Sequence, residues 1–325
     1  MKKGFALLCL LALLLPLPGL ILNRPDLIGE DRDANVNEAL GLRSQITGAN
    51  AALHRALGMS GSDQVTLGKG GALYLSETLP EAVGQTDLTD AEVEEIAQTL
   101  KALDDGFREK GAYLVFLCAP NKANVMTDKL PYYAAPRQGE SALDRLQKRL
   151  TELDVKLVDV KAMAKESPDT AYLLTDTHWS DDFAHQVYKA MMEALPRASW
   201  QDYGETPLEE AQRMGDLTEL IYPEGGQKET VRQRTVERRY RTKGVMRTTM
   251  DLRIETSCET NDLQVIMLRD SFANALFPYL ANNIGSLLLI RSDHWEDSYW
   301  REGTNAVVLE IVERNLPLLL QKTGE

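Results

Sequence analysis

Apolar positions along this chain follow two rhythms, and their alternation predicts the architecture. From Thr89 the spacing is helical, with Val93, Ile96, Ala97, Leu100, Leu103 and Phe107 recurring every three or four residues. Thr89 with Glu92 makes a capping box, Leu88 and Val93 its hydrophobic staple, and Gly111 ends the helix. Ala112 to Ala119 is then a continuous apolar run of strand length, closed by Pro120-Asn121-Lys122. Leu143, Leu146, Leu150 and Leu153 mark a second amphipathic helix, and Val155 to Val160 a short strand. Ser180 reads as the N-cap of a third helix, which carries Phe183, Val187, Tyr188, Met191 and Leu195. Leu263 to Leu268, Ser286 to Ile290 and Ala306 to Ile311 are further buried-strand candidates. Continuous apolar strands separated by helices predict a parallel sheet covered on both faces, a three-layer α/β domain. Ahead of it, Val65 to Leu75 predicts a hairpin around Gly68, Gly70 and Gly71. That turn lacks the Gly-Lys-Ser/Thr and following helix of a phosphate loop.

The N-terminal pattern is different. Met1-Lys2-Lys3 followed by apolar Gly4 to Leu22 reads as an uncleaved membrane anchor, with a removed signal peptide as the alternative. Lys2 and Lys3 would keep the N-terminus inside and export the rest. Residues 23–60 are polar with one helical stretch, a stalk or lead-in helix, which leaves 61–325 as the domain. The formal net charge of -13 argues against general nucleic-acid binding. A local basic stretch, Arg232 to Arg253, reads as a solvated hairpin or as a surface for an anionic polymer. Cys9, Cys118 and Cys258 make neither a disulfide framework nor a metal signature.

Candidate chemistry sits in two places. In Thr175-Asp176-Thr177-His178, an extended backbone points Asp176 and His178 to the same side, where a carboxylate can fix the imidazole tautomer. Downstream, the strand to Leu268 runs into Arg269-Asp270-Ser271 and a helix expected from Ala273 through Leu280. A serine at such a turn is either a cap or a nucleophile served by amides at the helix start. Together Ser271, His178 and Asp176 supply nucleophile, base and orienter, the parts that acyl transfer requires. The base implies activity that falls on acidification through the imidazole titration. Asn121 and Lys122, then Arg291, follow parallel strands and are candidate substrate-positioning groups, with Arg269 beside the nucleophile. A metal hydrolase using Asp176, His178, His185 or His294 is a remoter alternative, and no metal or cofactor is expected.

These blocks carry a resemblance. Asp176-Thr177-His178-Trp179-Ser180, Gly215-Asp216-Leu217 and Asp270-Ser271-Phe272 with Pro278-Tyr279-Leu280 resemble the AlgX/AlgJ family, as do Ala119-Pro120-Asn121-Lys122 and Val312-Glu313-Arg314. These are SGNH-hydrolase-like proteins of bacterial polysaccharide (alginate-type) O-acetylation. The resemblance implies a permuted SGNH-like fold, since the Asp-His block precedes the serine, and an Asp176–His178–Ser271 triad passing acetyl through an acyl-enzyme. It further implies a polysaccharide acceptor, a membrane-bound O-acyltransferase as acetyl source, and an extracytoplasmic, periplasmic or cell-surface, domain. Arg269 stands where the family usually has glycine, and Gly71-Ala72 where it has Gly-Trp. An esterase with the same triad and an inactive envelope scaffold are the competing readings.

Overall fold

The computed structural model of the chain describes residues 50, 53–54, 60–196, 198–222 and 226–320. The anchor expected at 1–22 lies outside the described residues, as does almost all of the 23–60 stalk. Among the described residues no helix is long and apolar enough to cross a membrane.

Strands β1 (Val65–Leu67) and β2 (Leu73–Leu75) form the expected hairpin, and Gly70 and Gly71 turn it at φ 64° and 85°, which favour glycine. The remaining strands are β3 (Leu114–Ala119), β4 (Lys156–Val158), β5 (Leu208–Arg213), β6 (Glu229–Arg234), β7 (Arg241–Thr242), β8 (Arg253–Ser257), β9 (Gln264–Leu268), β10 (Ser286–Ile290) and β11 (Ala306–Val312). Among the described residues, seven strands make the main sheet, ordered β4-β3-β11-β9-β10-β8-β7. The first five run parallel, in register through Val308 opposite Val115 and Met267, and Leu288 opposite Ile266. The sheet is mixed rather than wholly parallel, because β8 pairs antiparallel with β10 and β7 with β8. In β8 only Ile254 and Thr256 are buried, so this strand has none of the unbroken apolar character that revealed the others. β5 and β6 pair with each other outside the sheet, and polar β5 gave no strand signal. The Arg232 to Arg253 stretch, read as one solvated hairpin, is instead shared between β6, which pairs with β5, and β7 and β8, which pair with each other.

Helices α1 (Asp90–Glu109), α2 (Ala142–Glu152), α3 (Val160–Glu166), α4 (Asp181–Ala194), α5 (Asp216–Ile221) and α6 (Phe277–Asn283) complete the frame. The capping box of α1 is present, with Glu92 N–H donating to Thr89 Oγ1 and Thr89 N–H to Glu92 Oε2. Alternate strand residues point to opposite faces. Val115, Leu117, Val265, Met267, Leu287, Leu289 and Val308 pack under α3, α4 and α6. Leu114, Phe116, Ile266, Leu268, Leu288, Val307 and Leu309 pack under α1, α2 and the 3-10 segment Glu313–Leu320. Hence three layers. The helix expected from Ala273 to Leu280 is instead a 3-10 turn, Phe272–Asn274, and then α6. Pro278 lacks an N–H and is tolerated only in a first helical turn, so the helix restarts at Phe277. Because β3, β9, β10 and β11 run the same way, the segments after all four emerge at one edge.

Candidate active site

The loop carrying Asp176 and His178 is clamped at its base. Tyr172 bridges Trp179, Ser180 N–H donates to the Ala171 carbonyl at 2.9 Å, and Ser180 Oγ caps α4 by accepting from Phe183 N–H at 3.1 Å. Trp179 is buried against Phe183 and Phe272. Farther out, the Glu229 carboxylate accepts the Leu174 and Thr175 N–H groups, each at 3.0 Å. At the tip Asp176 Oδ1 accepts from the His178 backbone N–H at 2.9 Å and lies 2.8 Å from His178 Nδ1.

The serine arrives from the central strand β9. Asp270 staples its turn, accepting Phe272 N–H at 2.8 Å on one oxygen and Val312 N–H at 2.7 Å on the other. Asp270 N–H donates to Glu310 Oε2 at 2.9 Å. Glu310 is buried in β11, and burial followed by the nearby Asp270 charge pushes its carboxyl well above the usual range. Ser271 Oγ is thereby delivered 2.9 Å from His178 Nε2. An ionised carboxylate can only accept, so Nδ1 carries the proton, and Nε2 of the neutral ring is left to accept from the serine hydroxyl. Burial opposes charge on both partners, yet their hydrogen bonds prevail. His178, bonded to Asp176 and then Asp216, is raised to about 9, and Asp176 is lowered to about 2.

Comparison with known proteins bears on this site. A family model described as an SGNH hydrolase-like domain, acetyltransferase AlgX, matches residues 65–274. The chain belongs to that family. The matched span holds Asp176, His178 and Ser271 together. None of the curated proteins matches. Among solved structures, Bacillus cereus PatB1 is similar with a TM-score of 0.55 at 17% identity, over 71% of this chain and 92% of its own. PatB1 with a sulfonyl adduct gives 0.54 at 16% identity, over 71% and 90%. The O-acetyltransferase domain of Pseudomonas putida AlgJ gives 0.52 at 18% identity, over 78% and 92%. At these identities the likeness concerns the fold.

Within this AlgX-family domain the other expected residues have different surroundings. Asn121 is buried, giving its N–H to Glu313 Oε2 at 2.7 Å and its Nδ2 to Glu81 at 2.9 Å. Lys122 is buried too and donates to the carbonyls of Leu174 at 2.7 Å and Asp176 at 3.1 Å, so it props the Asp176 loop from beneath. Burial pulls its ammonium down to about 7. Arg269 is also buried, and binds Asn274 Oδ1 at 2.9 Å and the carbonyls of Thr249 at 2.6 Å and Asp251 at 3.0 Å. These three, expected to position substrate, turn donors toward the protein's own carbonyls and carboxylates, because each is enclosed by chain from elsewhere. Arg291 is half-buried, with Nη1 3.5 Å from the Met250 carbonyl.

The basic stretch divides. Arg234 pairs with Asp182 at 2.6 Å and Lys243 with Glu255 at 3.0 Å. His185 lies within α4 beside Tyr279 and Asp202, and His294 beside Asp293 and Glu296, so neither joins Asp176. Among the described residues, the sole group of three such side chains close enough to share a cation is Asp176, His178 and Asp216. That cluster is built as an oriented imidazole, since Asp176 occupies Nδ1 and Ser271 faces Nε2. Asp216 and Phe272, whose ring lies 4.8 Å from that of His178, were legible only as motif letters.

Proposed function

We propose that this chain is an extracytoplasmic polysaccharide O-acetyltransferase that works through an acetyl-Ser271 intermediate. The observation supporting it is the continuous relay from Ser271 Oγ through both nitrogens of His178 to Asp176, inside an acetyltransferase-family domain. Neutral His178 takes the Ser271 proton as Oγ attacks the donor's acetyl carbon, and Asp176 stabilises the imidazolium that forms. The imidazolium returns the proton to the leaving group, which departs and leaves acetyl-Ser271. A sugar hydroxyl then gives its proton to Nε2 and attacks, and collapse of the adduct restores the serine. Transfer prevails over hydrolysis where the acceptor is positioned better than bulk water. Half-buried Arg291 and Arg314, after β10 and β11, are groups that could hold it. Acetyl would come from a membrane-bound O-acyltransferase, with residues 1–22 anchoring this domain nearby.

Ser271→Ala tests the reading. It removes one hydroxyl from a half-buried turn, so folding should persist while activated-ester turnover falls by several orders of magnitude. A sulfonyl fluoride should label Ser271 of the parent chain and leave the variant unlabelled. With oligosaccharide present, mass spectrometry should find acetylated sugar. A folded Ser271→Ala chain that keeps full activity ends the assignment, and stripping of acetylated oligosaccharides without any gain of acetyl makes the protein an esterase.

A further inference from the structure

A second carboxylate meets the same imidazole nitrogen as Asp176. Asp216 Oδ2 lies 3.4 Å from His178 Nδ1, and Thr177 Oγ1, which donates to that oxygen, lies 3.2 Å from Nδ1. Asp216 Oδ1 accepts Thr177 N–H at 2.7 Å, and Asp216 N–H points at Asp176 Oδ2 at 3.3 Å. One residue thus touches Asp176, Thr177 and His178. Its own position is fixed by a close backbone approach. A Cβ at Gly215 would sit 2.1 Å from the Thr175 carbonyl oxygen, and Thr218 N–H donates to that oxygen at 3.3 Å.

Resting on the acyl-enzyme reading above, we propose that Asp216 is a positioning residue, a second orienter that works with Asp176 to fix the rotation and tautomer of His178. A hydrogen-bonded carboxylate on Nδ1 is enough to select the tautomer. A second one, bridged by a threonine hydroxyl, resists rotation of the ring away from Ser271 and adds its charge in favour of the imidazolium. The other groups facing this pair are few. Ser271 and the Phe272 ring come from the nucleophile turn, and Lys122 lies beneath the Asp176 carbonyl. Arg213, at the end of β5, stands 3.9 Å from Asp176 Oδ2 and favours ionised Asp176. Burial lowers the affinity of His178 for a proton, and Asp176 and then Asp216 raise it.

The test is the His178 titration itself, read from imidazole carbon shifts in the full-length chain, whose four histidines allow assignment by His178→Asn. In Asp216→Asn the midpoint should move acidward by about one pH unit, the effect of removing a carboxylate near contact. The acidic limb of activated-ester hydrolysis should move with it, and Asp216→Glu should recover part of both. An unmoved midpoint with lowered activity would overturn the proposal and leave Asp216 a loop support. Should Asp216→Asn not fold, Thr177→Val removes the bridging hydroxyl, and an unmoved midpoint there overturns it equally. A shifted midpoint in a chain that never transfers acetyl would keep the positioning role and dismiss the acetyl-transfer reading.

Discussion

Lys122→Met separates a structural ammonium from a substrate contact. The lysine is buried, its two carbonyl partners belong to Leu174 and Asp176, and its folded pKa is drawn down from 10.5 to about 7. Where both states are protonated, that displacement represents about 5 kcal/mol of destabilisation, at 1.36 kcal/mol per pKa unit. Between pH 7 and 10.5 the unfolded chain binds more protons than the folded one, so stability rises with pH there. Between pH 6 and 9 the parent should gain about 3 kcal/mol from this group alone. His178 has the opposite sign. Its pKa is raised from 6.5 to about 9, so its stabilisation is full below 6.5 and is lost as pH rises through 9. It is present in both chains and drops out of their difference. Methionine fills similar volume but leaves two carbonyls without their donor, each costing about 1–3 kcal/mol. At pH 6 that loss roughly offsets the relief of burying no charge, so the two proteins should be of similar stability. At pH 9 the variant should be weaker by about 3 kcal/mol. Urea denaturation at the two pH values, followed by tryptophan fluorescence, measures this. Ester turnover should fall at both, because the Asp176 loop loses its prop. A stability difference that is the same at pH 6 and pH 9 would refute the buried-charge argument.

Gly215→Ala drives a Cβ into the backbone of Thr175, and the overpacking should destabilise by about 3 kcal/mol and lower Tm by roughly 5–10 °C. An unchanged melting curve would mean the Gly215–Thr175 approach is not needed. Arg269→Met frees the carbonyls of Thr249 and Asp251, so proteolysis should open the chain near 247–252 while the core stays folded, and ester turnover should drop as the Ser271 turn loosens. Wild-type resistance at that loop would show that Arg269 does not pin it.

The sequence alone determined the elements whose signal is local. The apolar runs that became β3, β9, β10 and β11 were legible because a strand buried on both faces must be largely apolar, and the shorter Val155–Val160 run became the edge strand β4, with Lys156 exposed. Thr89 and Ser180 became caps, because capping is settled within one helical turn. The Asp176–His178 pair, two residues apart, was legible for the same reason, and Ser271 was legible as the end of a strand. What only the tertiary structure decided depends on chain brought from afar. Ser271 and His178 are 93 residues apart and meet only because β9 is central in the sheet. Asp216, 38 residues beyond His178, faces its ring only because Gly215 lets two backbones touch. Lys122 and Arg269 read in the sequence as candidate substrate-positioning groups, but the loops at 174–176 and 249–251 close over them. β8 holds a single apolar residue, Ile254, and buries only it and Thr256, so the sequence could not say which neighbour it would take or in which direction. Burial and long-range hydrogen bonding are properties of the assembled fold, and they turned expected substrate contacts into the supports of the site.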